Sequence, residues 1–182
     1  MRLFVAVNLP PAVRDAIYAD AAALRAASPG VRWVSPTALH VTLKFLGEQD
    51  DRLVDSFRAA LESVAGRHES LTVDTTAVGA FPNFRRPRVV WVGMTGERAL
   101  QALARGIDEA FAQLGVPQES RAFQAHLTLG RVKGLLAPAE AAALGAAANA
   151  CRITRSFSVQ AVDLMRSELG PGGSRYSVVA AV

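Results

Sequence analysis

Apolar residues fall along this chain in two rhythms, short near-continuous runs and longer segments in which they recur every three or four positions. Residues 3–9 form such a run, the pattern of a strand buried on both faces. Pro10 and Pro11 then open a segment in which Val13, Ile17, Ala21 and Leu24 repeat at helical spacing. This predicts a helix to about Ala27, stopped by Ser28-Pro29-Gly30. Strands are expected over 31–34 and 39–46, separated by Ser35-Pro36 and ended by Gly47. Leu53, Val54, Phe57, Leu61 and Val64 predict a helix over 50–65, and 71–78 reads as a strand before the loop 81–87.

The pattern then restarts. An apolar, β-branched strand over 88–94 precedes a helix over 97–114, a strand over 122–132 and an alanine-rich helix over 139–148. Two closing strands, 156–165 and 175–182, are joined across Gly170-Pro171-Gly172-Gly173. A shift of 86 residues lays the opening strand over the strand at 89–93 and the first helix over the second-half helix. The same shift superposes His40 on His126 and Thr42 on Thr128. Two features agreeing at one offset predict an internal duplication. The expected fold is therefore α+β and bilobal: two pseudo-symmetric lobes, each an antiparallel sheet with outer helices, around a central cleft.

Composition adds bounds. The 182 residues are 51% apolar, enough for one compact bilobal domain, and no apolar run reaches the roughly 20 residues of a membrane span. Cys151, the single cysteine, can form neither an internal disulfide nor a thiolate cluster, so a cytoplasmic protein is the simple reading. The net charge of +4, with arginine far outnumbering lysine, suits an anionic partner without requiring one. No carboxylate–histidine cluster stands at metal-ligand spacing, so neither a metal nor another cofactor is expected.

The superposed residues belong to two His-x-Thr-Leu motifs, His40 to Leu43 and His126 to Leu129. Side chains alternate along a strand, so each motif presents an imidazole and a hydroxyl on one face, about 6.5–7 Å apart. If the lobes are symmetric, both pairs face one cleft and a phosphoryl group between them meets an imidazole on each side. One imidazole can take a proton from an attacking water while the other protonates the leaving oxygen. The hydroxyls of Thr42 and Thr128 can donate to non-bridging phosphate oxygens. His68, in Gly66-Arg67-His68-Glu69, lacks the motif and reads as a surface loop residue.

These residues resemble the 2H phosphoesterase superfamily, and within it the RNA 2',3'-cyclic phosphodiesterases also called 2'-5' RNA ligases. The resemblance spans the chain. It runs from the opening Met1-Arg2-Leu3-Phe4-Val5-Ala6-Val7 through the block from His40 to Glu48, Phe81-Pro82 and Pro87 to Trp91. It continues through His126-Leu127-Thr128-Leu129-Gly130-Arg131 to Ser167-Glu168-Leu169 and the stretch from Gly173 to Tyr176. Ala125 stands where family members often carry a proline, which would stiffen the strand entrance without taking part in proton transfer. The resemblance implies a groove between two lobes and metal-independent hydrolysis of a cyclic phosphate on an RNA end to a 2'-phosphate. It also implies that His40 protonates the leaving 3' oxygen while His126 activates water.

Other residues are weighed beside the motifs. Arg131 matches an arginine of the family and is a candidate phosphate ligand, although strict alternation turns it off the face of His126 unless a bulge intervenes. Lys44 shares parity with His40 and Thr42, which makes it either a groove residue or a surface lysine. Phe45 can stack on a base, but it shares parity with Val41 and Leu43 and is expected in the core. Arg85, Arg86 and Arg88 lie among Phe81, Phe84 and Trp91, an arrangement that fits an RNA strand or, equally, core aromatics with solvated arginines. The expected partner is RNA with a 2',3'-cyclic end, such as a tRNA fragment, or else a small cyclic nucleotide. Neither a membrane nor an oligomer is expected. Competing readings are ATP-independent 2'-5' ligation by the reverse reaction and a non-catalytic RNA-binding module of the same fold.

Overall fold

A computed structural model of the chain describes residues 1–170 and 173–182. Strands β1 (Arg2–Asn8), β3 (His40–Glu48), β8 (Asp163–Gly170) and β9 (Gly173–Ala181) form one antiparallel sheet in the order β3-β1-β8-β9. Strands β2 (Val31–Trp33), β4 (Leu71–Phe81), β5 (Val89–Met94), β6 (His126–Val132) and β7 (Ser156–Val159) form a second, in the order β2-β6-β5-β4-β7. The α+β class expected from the pattern is the class observed. In each sheet the motif strand flanks the strand that opens its half, β3 beside β1 and β6 beside β5. Asn8 faces His40 and Gly93 faces His126, so the opening strands correspond one residue short of the motif offset.

The helices are α1 (Pro11–Asp20), α2 (Ala22–Ala27), α3 (Val54–Ala65), α4 (Glu97–Ala112) and α5 (Pro138–Ala150). They pack across the halves of the sequence: α3 lies on α4, which packs against β3, and α2 lies on α5, which packs against β4. The rings of Phe57 and Phe111 stack at 5.0 Å between α3 and α4. Leu3, Val5 and Val7 of β1 turn toward this helical side and join one continuous core with Val90, Val92 and Leu127 of the other sheet. Phe4 and Ala6 turn to the opposite face with Met165. No helix among the described residues is long and apolar enough to cross a membrane.

Three expected elements differ. The single helix predicted to Ala27 breaks at Ala21, whose backbone leaves helical geometry. The strand expected over 122–132 begins only at His126. The run 156–165 is two strands in different sheets, because the chain crosses from the outer edge of the second sheet into the middle of the first at Gln160-Ala161. Four successive buried residues, Val162 to Met165, mark its entry between β1 and β9 and make it look continuous in sequence. Of the connection expected between the closing strands, Pro171 and Gly172 lie outside the described residues.

Candidate active site

His40 and His126 each begin a motif strand, and each imidazole is fixed by the same bond. His40 Nδ1 donates to the Ala38 carbonyl at 2.8 Å, and His126 Nδ1 donates to the Gln124 carbonyl at 2.8 Å. A carbonyl can only accept, so Nδ1 carries the proton and Nε2 is the atom that exchanges one. His40 Nε2 lies 3.1 Å from Thr42 Oγ1, which joins imidazole and hydroxyl directly. Aromatic rings set the remaining orientation. His40 packs on Phe4 (4.9 Å between centroids) and edge-on to Tyr176 (5.0 Å), and His126 packs edge-on to Phe81 (5.2 Å) and Trp91 (6.4 Å). Any Cβ at Gly79 would collide with the Trp91 indole, so glycine is needed beneath that ring.

Both motif strands depart from strict alternation at the same place. Opposite Val5 and Ala6 of β1 stand Lys44 and Thr42, which leaves Leu43 as an extra residue. Opposite Val90 and Trp91 of β5 stand Gly130 and Thr128, which leaves Leu129 as an extra residue. These are β-bulges, and a bulge reverses the parity of everything after it. Leu43 and Lys44 are both buried, as are Leu129 and Gly130. Phe45 and Arg131 are consequently exposed on the face that carries the histidines and threonines.

The bulges correct two expectations and explain a third. Lys44 does not line the groove. Its side chain is wholly buried, its Nζ donates to Asp108 Oδ1 at 2.5 Å and to the Pro117 carbonyl at 2.9 Å, and Asp108 also accepts from the Glu119 backbone N–H. Phe45 is not in the core; it is 58% exposed, near Phe4. Arg131 reaches the histidine face as a bulge requires, and its charge acts on His40 of the other sheet. The two motifs thus meet, as contact between β3 and β6 also requires.

The electrostatics of His40 follow. Burial lowers its pKa below the ordinary histidine value, the bond to Ala38 opposes this, and the Arg131 charge lowers it further. In the basic loop, Phe84 packs beside Gly145 of α5, and the backbone N–H groups of Arg85 and Arg86 donate to Asn83 Oδ1. The loop is pinned from beneath while the side chains of Arg85, Arg86 and Arg88 stay exposed. Trp91 and Phe81 are half-buried rings supporting His126, which fits neither expectation for them fully.

One cavity of the protein holds none of the motif residues. That cavity, about 440 Å³, is lined by His68, Glu62, Leu71, Leu103 and Val162 among others. Sequence reasoning missed Tyr176 and Phe4 as neighbours of His40. Tyr176 stood in the stretch that carried the family resemblance, whereas Phe4 was hidden in a run apolar at every position.

Two antiparallel sheets, each presenting a bulged strand with an anchored imidazole and a hydroxyl, define an α+β protein with a candidate paired-histidine site. The chain belongs to the 2'-5' RNA ligase superfamily, whose sequence model matches residues 13–171. A Methanothermobacter thermautotrophicus relative named RNA 2',3'-cyclic phosphodiesterase is 33% identical over 177 residues, covering 97% of this chain and 95% of the relative. One of the same name from Archaeoglobus fulgidus is 39% identical over 133 residues, 73% of each chain. The crystal structure of a Thermus thermophilus protein matches with a TM-score of 0.79 at 28% identity, covering 100% of this chain and 96% of that one. Escherichia coli LigT complexed with 3'-AMP matches with a TM-score of 0.72 at 28% identity, again covering 100% and 96%.

Proposed function

We propose that this protein hydrolyses 2',3'-cyclic phosphate ends of RNA to 2'-phosphates, with His40 and His126 as the two proton-transfer groups and no metal. The observation that carries the reading is the matched anchoring of the two rings, Nδ1 to a carbonyl and Nε2 left for exchange, with the Arg131 charge acting on His40 of the other sheet. The names of the relatives support the substrate class. The matching bulges support reading the lobes as copies of one ancestral half.

In this reading water attacks phosphorus in line with the 3' oxygen. His126 Nε2 takes the proton from water, the P–O3' bond breaks, and the departing oxygen takes a proton from His40 Nε2. Thr42, Thr128 and Arg131 hold the non-bridging oxygens as charge builds on them. Because Nδ1 is already protonated, His40 serves as acid only in its imidazolium form. Its lowered pKa in the empty site works against that form, and a bound phosphate anion works for it by offsetting Arg131.

The test incubates the protein with EDTA and an RNA bearing a 2',3'-cyclic end and identifies the product. A 2'-phosphate is expected. A 3'-phosphate, or activity only with added metal, sinks the mechanism. His40→Ala and His126→Ala should each cost at least the ~10²-fold typical of lost acid–base catalysis, while His68→Ala, exposed at a cavity that no motif residue lines, should be nearly silent.

A further inference from the structure

Arg32 played no part in the sequence reading, yet the sheet places it beside the site. In the β2–β6 ladder Arg32 stands directly opposite Arg131. Directly opposed residues of an antiparallel pair point to the same face. Their neighbours Val31 and Trp33 close over Gly130 on the other side, where a Cβ on that glycine would strike both. Arg32 and Arg131 are therefore neighbours on the groove face, and both are exposed.

Like charges so placed repel, and among the described residues neither guanidinium is paired with a carboxylate. Most arginines of the chain likewise have no carboxylate partner among the described residues; what sets these two apart is that the ladder holds them directly opposite each other on one face. An anion bound between two such guanidiniums relieves their repulsion. Arg131, whose charge reaches His40, is the one assigned to the reacting phosphate in the function proposed above. Arg32, one strand farther out by about 5 Å, is left for a second anion.

We propose that Arg32 forms, with Arg131, a second phosphate position in the groove, which takes the phosphodiester next to the cyclic end and makes an oligonucleotide a better substrate than a cyclic mononucleotide. This rests on the function proposed above and specifies its substrate. An arginine on an edge strand can instead serve only to block strand addition. A purely protective role would not discriminate between substrates.

The experiment compares kcat/KM for 2',3'-cyclic AMP and for a hexa-adenylate ending in a 2',3'-cyclic phosphate. Arg32→Gln should lower the oligonucleotide-to-mononucleotide ratio about 10-fold, the size of one phosphate contact, with the loss in KM rather than kcat. Arg32→Lys should restore most of it, and the control Arg58→Gln on α3 should leave the ratio alone. The oligonucleotide KM should also lose about 0.7 from its log–log salt slope, one phosphate contact to a single strand. An unchanged ratio and slope overturn the proposal. Failure of the proposed function is read separately, from binding of a hexa-adenylate ending in a 2'-phosphate to the His40→Ala protein. Weaker binding and a shallower slope on adding Arg32→Gln support the second position even if the wild type hydrolyses neither substrate. Identical binding overturns it.

Discussion

His40 and His126 share a hydrogen-bond scheme but not an environment. His40 sits between Phe4 and Tyr176, bonded to Thr42, and burial with the Arg131 charge holds its pKa down. This asymmetry makes the direction of proton transfer testable. Replacing Arg131 by Gln removes one lowering influence, so the His40 pKa rises and its imidazolium persists to higher pH. If His40 is the acid, the alkaline limb of kcat/KM moves up in pH; if it is the base, the acidic limb moves up instead. We expect the alkaline limb to move, along with a weaker KM. Stability carries the same mark. A depressed imidazole stabilises the fold fully above its unfolded pKa of about 6.5, and the contribution is lost as pH falls through the folded value. At this scale the motif histidines and threonines were legible because parity holds for the first three residues of each strand. Lys44 was not, because the parity rule fails one residue before it.

At the scale of the element, the bulge is the device that matters. It turns the residue after the motif inward and the next one outward, so one position supplies a buried anchor and the following one a groove residue. In β3 these are Lys44 and Phe45; in β6 they are Gly130 and Arg131. Gly130 carried a sequence signal, since glycine inside a strand often marks a bulge or a close approach. The first motif had no such residue, and only the repeat could have transferred the inference to it. Lys44 ties β3 to α4 through Asp108 and to the segment before β6 through Pro117. Removing one member of a buried ion pair strands the other, so Lys44→Ala should cost about 3 kcal/mol in denaturant unfolding. Replacing both partners by apolar residues, Lys44→Met with Asp108→Leu, should recover much of that loss. A single variant as stable as the wild type would show that the pair contributes nothing.

The two lobes are not consecutive halves of the chain. β2 leaves the first half to join the second sheet, β8 and β9 return from the end of the chain to complete the first, and the helices pair across the halves. The alternating pattern gave strands and helices well but could not reveal this exchange, because hydrophobicity reports that a segment is buried and not against which partner. The exchange joins both sheets to one continuous core, and that has a mechanical consequence. Trp33 and Trp91 both lie in the second sheet, so tryptophan fluorescence reports that lobe alone. Phe57 is fully buried on α3, in the helical layer that packs on the first sheet. Phe57→Ala should destabilise the protein by about 3–5 kcal/mol. With lobes coupled through the shared core, the fluorescence midpoint should fall as far as the far-UV circular dichroism midpoint, in one transition. Independent lobes would leave the fluorescence midpoint at its wild-type value while circular dichroism divided into two steps. Coupling of this kind also suits the function proposed above, in which a phosphate is gripped from both sheets and neither sheet can shift without the other.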